Sequence, residues 1–409
     1  MKVAQFRKLF PILGDSVPGG KLVYLDNAAT SQRPQAVVDA YSSSALHKNA
    51  NLHRAVHHLS NIATNNYESA RDCVREYLNA ASREEIIFTS GATAAINTAA
   101  FSFGEAYIKP GDEIIVTEAE HHSNIVPWQM MASRKGATIK VLPVDDNGHL
   151  RLDLLPRLLG PNTKILAVSH ISNVLGLVNP LPEIIRIAHA NGIKVLVDGA
   201  QGIVHKMVDV QALDCDFYVF SGHKMFAAPF TGVLYGKKEL LDAMPPMMGG
   251  GEMIDTVSLY KGTTYAPLPA KFEAGTQNIS GVPTFIPAIE TLRLALDDEE
   301  LRDNSKAVAE YVASEIAKDS RIRVYGSKGA GEEKIPLFSF TVHGAHHEDL
   351  ALILDKMGIA VRSGQMCAEP LMDRFGVTGM LRASFAPYNT MEEAEMFIKS
   401  LSRAIGMLV

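Results

Sequence analysis

Residues 194–201 read KVLVDGAQ and residues 216–224 read DFYVFSGHK. Each contains a β-branched or aromatic run that is apolar on both faces and ends in a small-residue turn. A strand of that kind is at home only in a sheet covered on both sides. Working outward, similar runs occur at 85–89 (EIIFT), 113–117 (EIIVT), 139–143 and 164–169 (KILAVS). The intervening stretches 92–103, 126–135 and 182–191 have helical spacing, and Asn191-Gly192 supplies a stop for the last. Alternation of buried strands with helices predicts an α/β fold: a three-layer α/β/α unit around a mainly parallel sheet.

Upstream, Tyr67, Ala70, Val74, Tyr77 and Leu78 recur at helical intervals, which predicts an amphipathic helix over 61–79 with Cys73 as packing. After residue 281 the texture changes. Two long helical stretches flank a strand at 336–342, and a further strand-like piece leads to Arg362. We therefore expect an N-terminal segment (1–20) packed on the smaller domain, a large domain over 21–289, and a smaller α+β C-terminal domain over 290–409.

The 409 residues are 47% hydrophobic and 21% charged, and 45 acidic against 39 basic residues leave a net charge of −6. With no basic run, nucleic acid is not an expected partner. No apolar window approaches the roughly twenty residues of a membrane span, and residues 1–13 lack a signal-peptide core, so a cytoplasmic protein without a membrane partner is expected. Cys73, Cys215 and Cys367 are too sparse for a disulfide framework or a zinc site of the CxxC type, and no metal is expected.

The chemistry-bearing residues concentrate at strand ends. Lys224, just past Ser221-Gly222-His223, reads either as a solvated lysine or as a nucleophile. Asp198 closes the 194–198 run, where ligands gather in open α/β sheets, or else serves as a helix N-cap. A lysine and an acid on neighbouring strand ends together meet the needs of pyridoxal 5'-phosphate (PLP). The amine forms a Schiff base with the cofactor aldehyde, and the carboxylate keeps the pyridine nitrogen protonated. Residues 89–93 (TSGAT) lie between a strand and a helix and are either a plain cap or a phosphate cup in which Thr93 reaches the phosphate. Residues 118–124 (EAEHHSN) again join strand to helix. His121 suits stacking on the ring and moving protons, unless the paired histidines form a polar surface turn.

Taken in order, these four segments resemble the fold-type I PLP-dependent transferases of the class V aminotransferase family, and within it the cysteine desulfurases. The likeness runs from 24–30 (YLDNAAT) through 118–128, 197–201 and 221–224 to 362–368 and 382–390. Residues 362–370 read RSGQMCAEP, similar to the short R-x-G-x-x-C-A loop of the group II (Suf/Csd-type) branch. The resemblance implies that Cys367, otherwise readable as a small buried hydrophobe, is the nucleophile that accepts sulfur as a persulfide. It further implies that Ala92 and Thr93 with Ser221 and His223 hold the phosphate, and that Gln201 contacts the phenolic oxygen. Asn173 and Arg382 would take the substrate carboxylate, with His53 at the pocket mouth and Thr276 reaching the phosphate of the other subunit in a homodimer.

The implied reaction converts L-cysteine to L-alanine and passes sulfur from Cys367 to an acceptor protein. A selenocysteine or cysteine-sulfinate lyase, or a specialised biosynthetic PLP enzyme, are the competing readings. A cofactor-free scaffold fits poorly with Lys224, Asp198 and His121 together. Two stretches depart from the family pattern. Residues 225–232 read MFAAPFTG where a Tyr-Gly-Pro-Thr-Gly run is usual, and Gln277 in 275–278 (GTQN) stands where a proline is usual.

Overall fold

The structure is a computed structural model, and it describes residues 1–53, 56–327 and 333–409. Among them, seven strands form the central sheet: β1 (Ile86–Thr89), β2 (Glu113–Thr117), β3 (Thr138–Leu142), β4 (Thr163–Ser169), β5 (Lys194–Asp198), β6 (Phe217–Ser221) and β7 (Gly232–Gly236). Their spatial order is β1-β7-β6-β5-β4-β2-β3. The side chains alternate between two cores. Leu166, Val168, Val195, Val197, Tyr218 and Phe220 join one, while Ile165, Ala167, Leu196, Phe217 and Val219 join the other. Helices Ala92–Tyr107 and Val126–Lys135 cover the second face through Ile96, Phe103 and Trp128. Helices His58–Tyr77, Leu181–His189 and Phe285–Asp297 cover the first through Tyr67, Ile184 and Ile289. Each such fully buried Val, Leu, Ile or Phe contributes about 1.5–3 kcal/mol. The expected three-layer architecture is therefore what the runs without alternation encode.

Sequence patterning did not announce β7, a five-residue GVLYG bracketed by glycine. It runs antiparallel to both neighbours, pairing Gly232 with Ser221 on one side and with Thr89 on the other. A Cβ on Gly232 would lie 2.4 Å from Gly91 Cα, so only glycine lets the turn after β1 rest against this strand.

A second, antiparallel sheet has the order β8-β9-β11-β10, formed by β8 (Ile322–Tyr325), β9 (Leu337–Val342), β10 (Arg362–Gly364) and β11 (Met380–Ser384). Val312, Leu354 and Phe397, from helices Glu299–Ile316, His347–Lys356 and Met391–Leu408, meet Phe338, Phe340 and Leu381 beneath it. The last helix opens with a capping box. The Thr390 hydroxyl accepts the Glu393 N–H, and the Glu393 carboxylate accepts the Thr390 N–H at 3.1 Å.

The N-terminal residues touch both units. Val23–Tyr24 pairs in parallel with Ile359–Ala360 and brings Val23 and Leu25 into the smaller core. Phe6, Phe10 and Leu13 instead enter the core under the larger sheet, where the Phe10 ring lies 5.2 Å from Phe226 and 4.7 Å from Tyr388. Arg7 then pairs with the buried Glu393 at 2.8 Å. Packing on the smaller unit was the expectation, and the aromatic pair at 6 and 10 carries the segment into the larger core as well.

Candidate active site

β4, β5 and β6 are parallel neighbours, and a cavity of about 240 Å³ opens past their carboxyl ends. Lys224 follows β6 through a single turn, Asp198 ends β5, and both line this cavity. Burial lowers the Lys224 amine against the pull of Asp198, and burial raises the Asp198 carboxyl against the pull of Lys224 and the Ala200 N–H. That N–H donates to Asp198 Oδ1 at 2.9 Å.

The turn after β1 supplies the opposite wall. Gly91 ends it at φ 149, Ala92 donates its N–H to Ser221 Oγ at 2.8 Å, and Thr93 Oγ1 shares a 2.7 Å hydrogen bond with Ser123 Oγ. His223 lies beside them with Nδ1 3.1 Å from Thr30 Oγ1, and burial first, then the Lys224 charge, lowers its ring to about 4. Gln201 donates to the Ala28 carbonyl at 2.8 Å and keeps a second amide hydrogen.

His121 caps the turn His122–Asn124, and its Nδ1 accepts the Ser123 N–H at 3.1 Å, which leaves the ring proton of the neutral form on Nε2. Burial lowers this imidazole to about 4, helped by the charges of Lys224, His122, Arg382 and Arg362. It is therefore neutral near pH 7.

On the far side stands the cysteine loop. Met366 and Cys367 have φ of 56° and 55°, a left-handed pair without glycine that costs on the order of 1–2 kcal/mol per residue. Three hydrogen bonds hold it. Asn173 Nδ2 donates to the Met366 carbonyl at 2.8 Å, His122 N–H donates to the Cys367 carbonyl at 2.7 Å, and the Glu369 N–H donates to His122 Nε2 at 3.0 Å. The result presents Cys367 as exposed while lining the cavity. Burial pushes the Cys73 thiol up to about 11 and the Cys215 thiol higher still, which disqualifies both as thiolates near neutral pH.

Arg382 enters from β11. Its Nη1 donates to the Asn173 carbonyl at 2.8 Å and its Nη2 to Asp26 Oδ1 at 3.0 Å, while its buried Nε has no partner among the described residues. An incoming carboxylate would satisfy that orphan.

Of the residues anticipated for this subunit's own site, the cavity gathers all but His53. His53 does not line it: this residue has φ 62, its N–H donates to Thr64 Oγ1 at 2.9 Å, and its Nε2 lies 3.2 Å from Glu68. A Glu partner within helix His58–Tyr77 holds it away. Thr276, expected at the phosphate of the other subunit, is exposed and outside this lining. Sequence reasoning missed Ser123, Ser169 and Arg362 as lining residues, although Arg362 opens the quoted cysteine loop. The two departing stretches meet each other, since Asn278 Nδ2 donates to the Phe230 carbonyl at 3.0 Å.

The donor set suits PLP. An amine stands ready for the aldehyde, a buried carboxylate for the ring nitrogen, and hydroxyls at a helix N-terminus for the phosphate, in a space walled by Ala28, Ala29 and Ala200.

The chain belongs to the aminotransferase class V family, whose model matches residues 23–397. That family comprises PLP enzymes. A cysteine desulfurase of Cronobacter sakazakii is 46% identical over 99% of this chain and 98% of its own length, and a probable cysteine desulfurase of Vibrio cholerae is 46% identical over 98% of each. Among solved structures, the cysteine desulfurase CsdA (S-sulfonic acid) from Escherichia coli superposes with a TM-score of 0.91 at 42% identity, covering 100% of both chains. The apo cysteine desulfurase from Thermococcus onnurineus NA1 gives 0.92 at 35% identity, over 99% of this chain and 98% of its own.

Proposed function

We propose that this chain is a PLP-dependent cysteine desulfurase that converts L-cysteine to L-alanine, takes the sulfur on Cys367 as a persulfide and delivers it to an acceptor protein. The observation that carries the reading is that Lys224 and Cys367 line one cavity of about 240 Å³. When bound, PLP supplies an electron-poor ring that takes up the electrons left by a broken Cα–H bond. Lys224 would anchor the cofactor aldehyde, and its amine, whose lowered proton affinity suits a base, would take the substrate Cα proton. Asp198 would hold a proton on the ring nitrogen, and the neutral His121 ring lines the cavity and can donate from Nε2. Arg382 receives the substrate carboxylate. The Cys367 thiolate attacks the substrate sulfur, forming an S–S bond as the Cβ–S bond breaks, and the carbon takes a proton on the way to alanine.

The same reading divides the chain into a cofactor-holding unit over 21–289 and a smaller unit over 290–409, a division that falls inside helix Phe285–Asp297. Among the described residues no helix is long and apolar enough to cross a membrane. The deciding experiment incubates the protein with L-cysteine and measures the mass of the Cys367 peptide together with alanine. Gain of one sulfur atom with matching alanine is expected, and alanine without any gain at Cys367 would refute the sulfur-transfer step.

Asp198→Asn is expected to keep the fold and bind the cofactor but to lower turnover by about 10²-fold or more, because a neutral amide cannot hold the ring proton. Turnover equal to the parent would remove Asp198 from that role. A homodimer is also expected. Phe230 (76% exposed), and Leu259 (95%) and Tyr260 (96%) at the tip of the antiparallel hairpin formed by Ile254–Ser258 and Gly262–Tyr265, leave large apolar groups in water, and obligate interfaces bury on the order of 2,000 Å² or more. Light scattering should return twice the chain mass, and a fully active monomer would sink the idea.

A further inference from the structure

Glu120 is fully buried, with no cation against it among the described residues, and three donors converge on its carboxyl. Thr117 Oγ1–H and the Ser169 N–H donate to Oε1 at 2.6 and 2.9 Å, and Asn124 Nδ2 donates to Oε2 at 2.7 Å. Ser169 is the strand partner of Asp198, and Asp198 is the charged group facing Glu120. Asn124 closes the turn that begins at His121, whose carbonyl accepts the Asn124 N–H at 2.8 Å. The next residue in that turn, His122, holds the cysteine loop through the Cys367 carbonyl and the Glu369 N–H.

We propose, on the functional reading above, that Glu120 is a positioning residue that ties the 121–124 turn to the strand ends of β2 and β4, and so sets the His121 ring and the Cys367 loop in register with each other. The tie is directional. Trp128 Nε1 can only donate, and it donates to Asn124 Oδ1 at 3.2 Å, which fixes the Asn124 amide with Nδ2 toward Glu120. The Ser169 N–H can only donate as well. A carboxyl accepts at both oxygens, whereas an amide at 120 must set its own NH₂ against one of these donors. Burial, then the Asp198 charge, works against the three donors and moves this carboxyl up to about 7. The tie survives in either protonation state, because a proton on Oε1 can be donated to the Thr117 hydroxyl, which rotates to accept it.

The test compares Glu120→Gln with the parent as full-length holoenzyme, reading steady-state kinetics on L-cysteine and the rate of iodoacetamide alkylation at the Cys367 peptide. We expect kcat to fall about tenfold with KM within about twofold, because Arg382 still holds the substrate, and Cys367 alkylation to change by about threefold or more. Asn124→Ser cuts the same tie from its other end, leaves Glu120 two donors, and should show the same signature. If Glu120→Gln does not fold, Asn124→Ser decides. Parental kcat, a rise in KM alone, or parental alkylation of Cys367 in the folded variants overturns the proposal. A parent that makes no alanine from L-cysteine would refute the functional reading instead, while the alkylation comparison would still judge Glu120.

Discussion

Lys224→Ala is expected to lose alanine production from L-cysteine by at least about 10³-fold, combining loss of the covalent anchor with loss of the base. The reason is positional. Lys224 is delivered to the cavity floor by the tight turn after β6, where Gly222 packs so closely that a Cβ would stand 2.1 Å from Thr231 Oγ1. Among the described residues no other lysine lines that cavity. An exogenous amine would have to enter a site that still holds two guanidinium groups, Arg362 and Arg382, the latter already engaged with Asp26 and Asn173. The variant should retain its thermal stability, since a lysine whose charge is disfavoured by burial contributes little to the fold. Borohydride reduction followed by peptide mapping checks the parent, and finding the cofactor on a different lysine would collapse the site assignment.

Cys367→Ala should separate binding from chemistry. Lys224, Asp198 and the turn after β1 stand on the larger sheet, whereas Cys367 stands on a loop between β10 and β11 of the smaller one, so its loss leaves the cofactor wall untouched. The visible-edge absorbance of lysine-linked cofactor should persist while alanine formation from L-cysteine falls by about 10²-fold or more. With selenocysteine or cysteine sulfinate the loss should be smaller, because those groups can depart without thiolate attack on a sulfur. Equal, parental rates with L-cysteine would make this cysteine a packing residue and hand the function to a lyase.

The larger sheet was legible because a run such as ILAVS at 165–169 has no polar face to offer water, which leaves a double-sided layer as its only stable setting. β7 was not, since glycine at both ends of a five-residue strand mimics a loop, and its purpose is proximity to Gly91 rather than propensity. Lys224 and Asp198 could be read from their strand ends. Cys367 could not, because nothing in its local pattern says that two left-handed residues will swing it into a cavity built by another unit. It came through resemblance alone. Glu120 escaped notice because an acid in a polar heptad, EAEHHSN, reads as surface by residue type, while its burial is decided by Thr117, Asn124 and Ser169 from flanking and distant chain.

The reversed strand between β1 and β6 also sets a clock on biosynthesis. On the ribosome, at about 5–20 residues per second, residues 86–89 emerge long before their only neighbour in the sheet, residues 232–236. Until then β1 is an unpaired apolar edge, a hazard that nascent chains meet with chaperones. The turn at Gly91 that would cradle a phosphate also lacks the backbone it leans on. A truncated nascent chain therefore has the residues of that turn without the strand that shapes it, and the turn takes its final form only in a chain that has grown past Gly236.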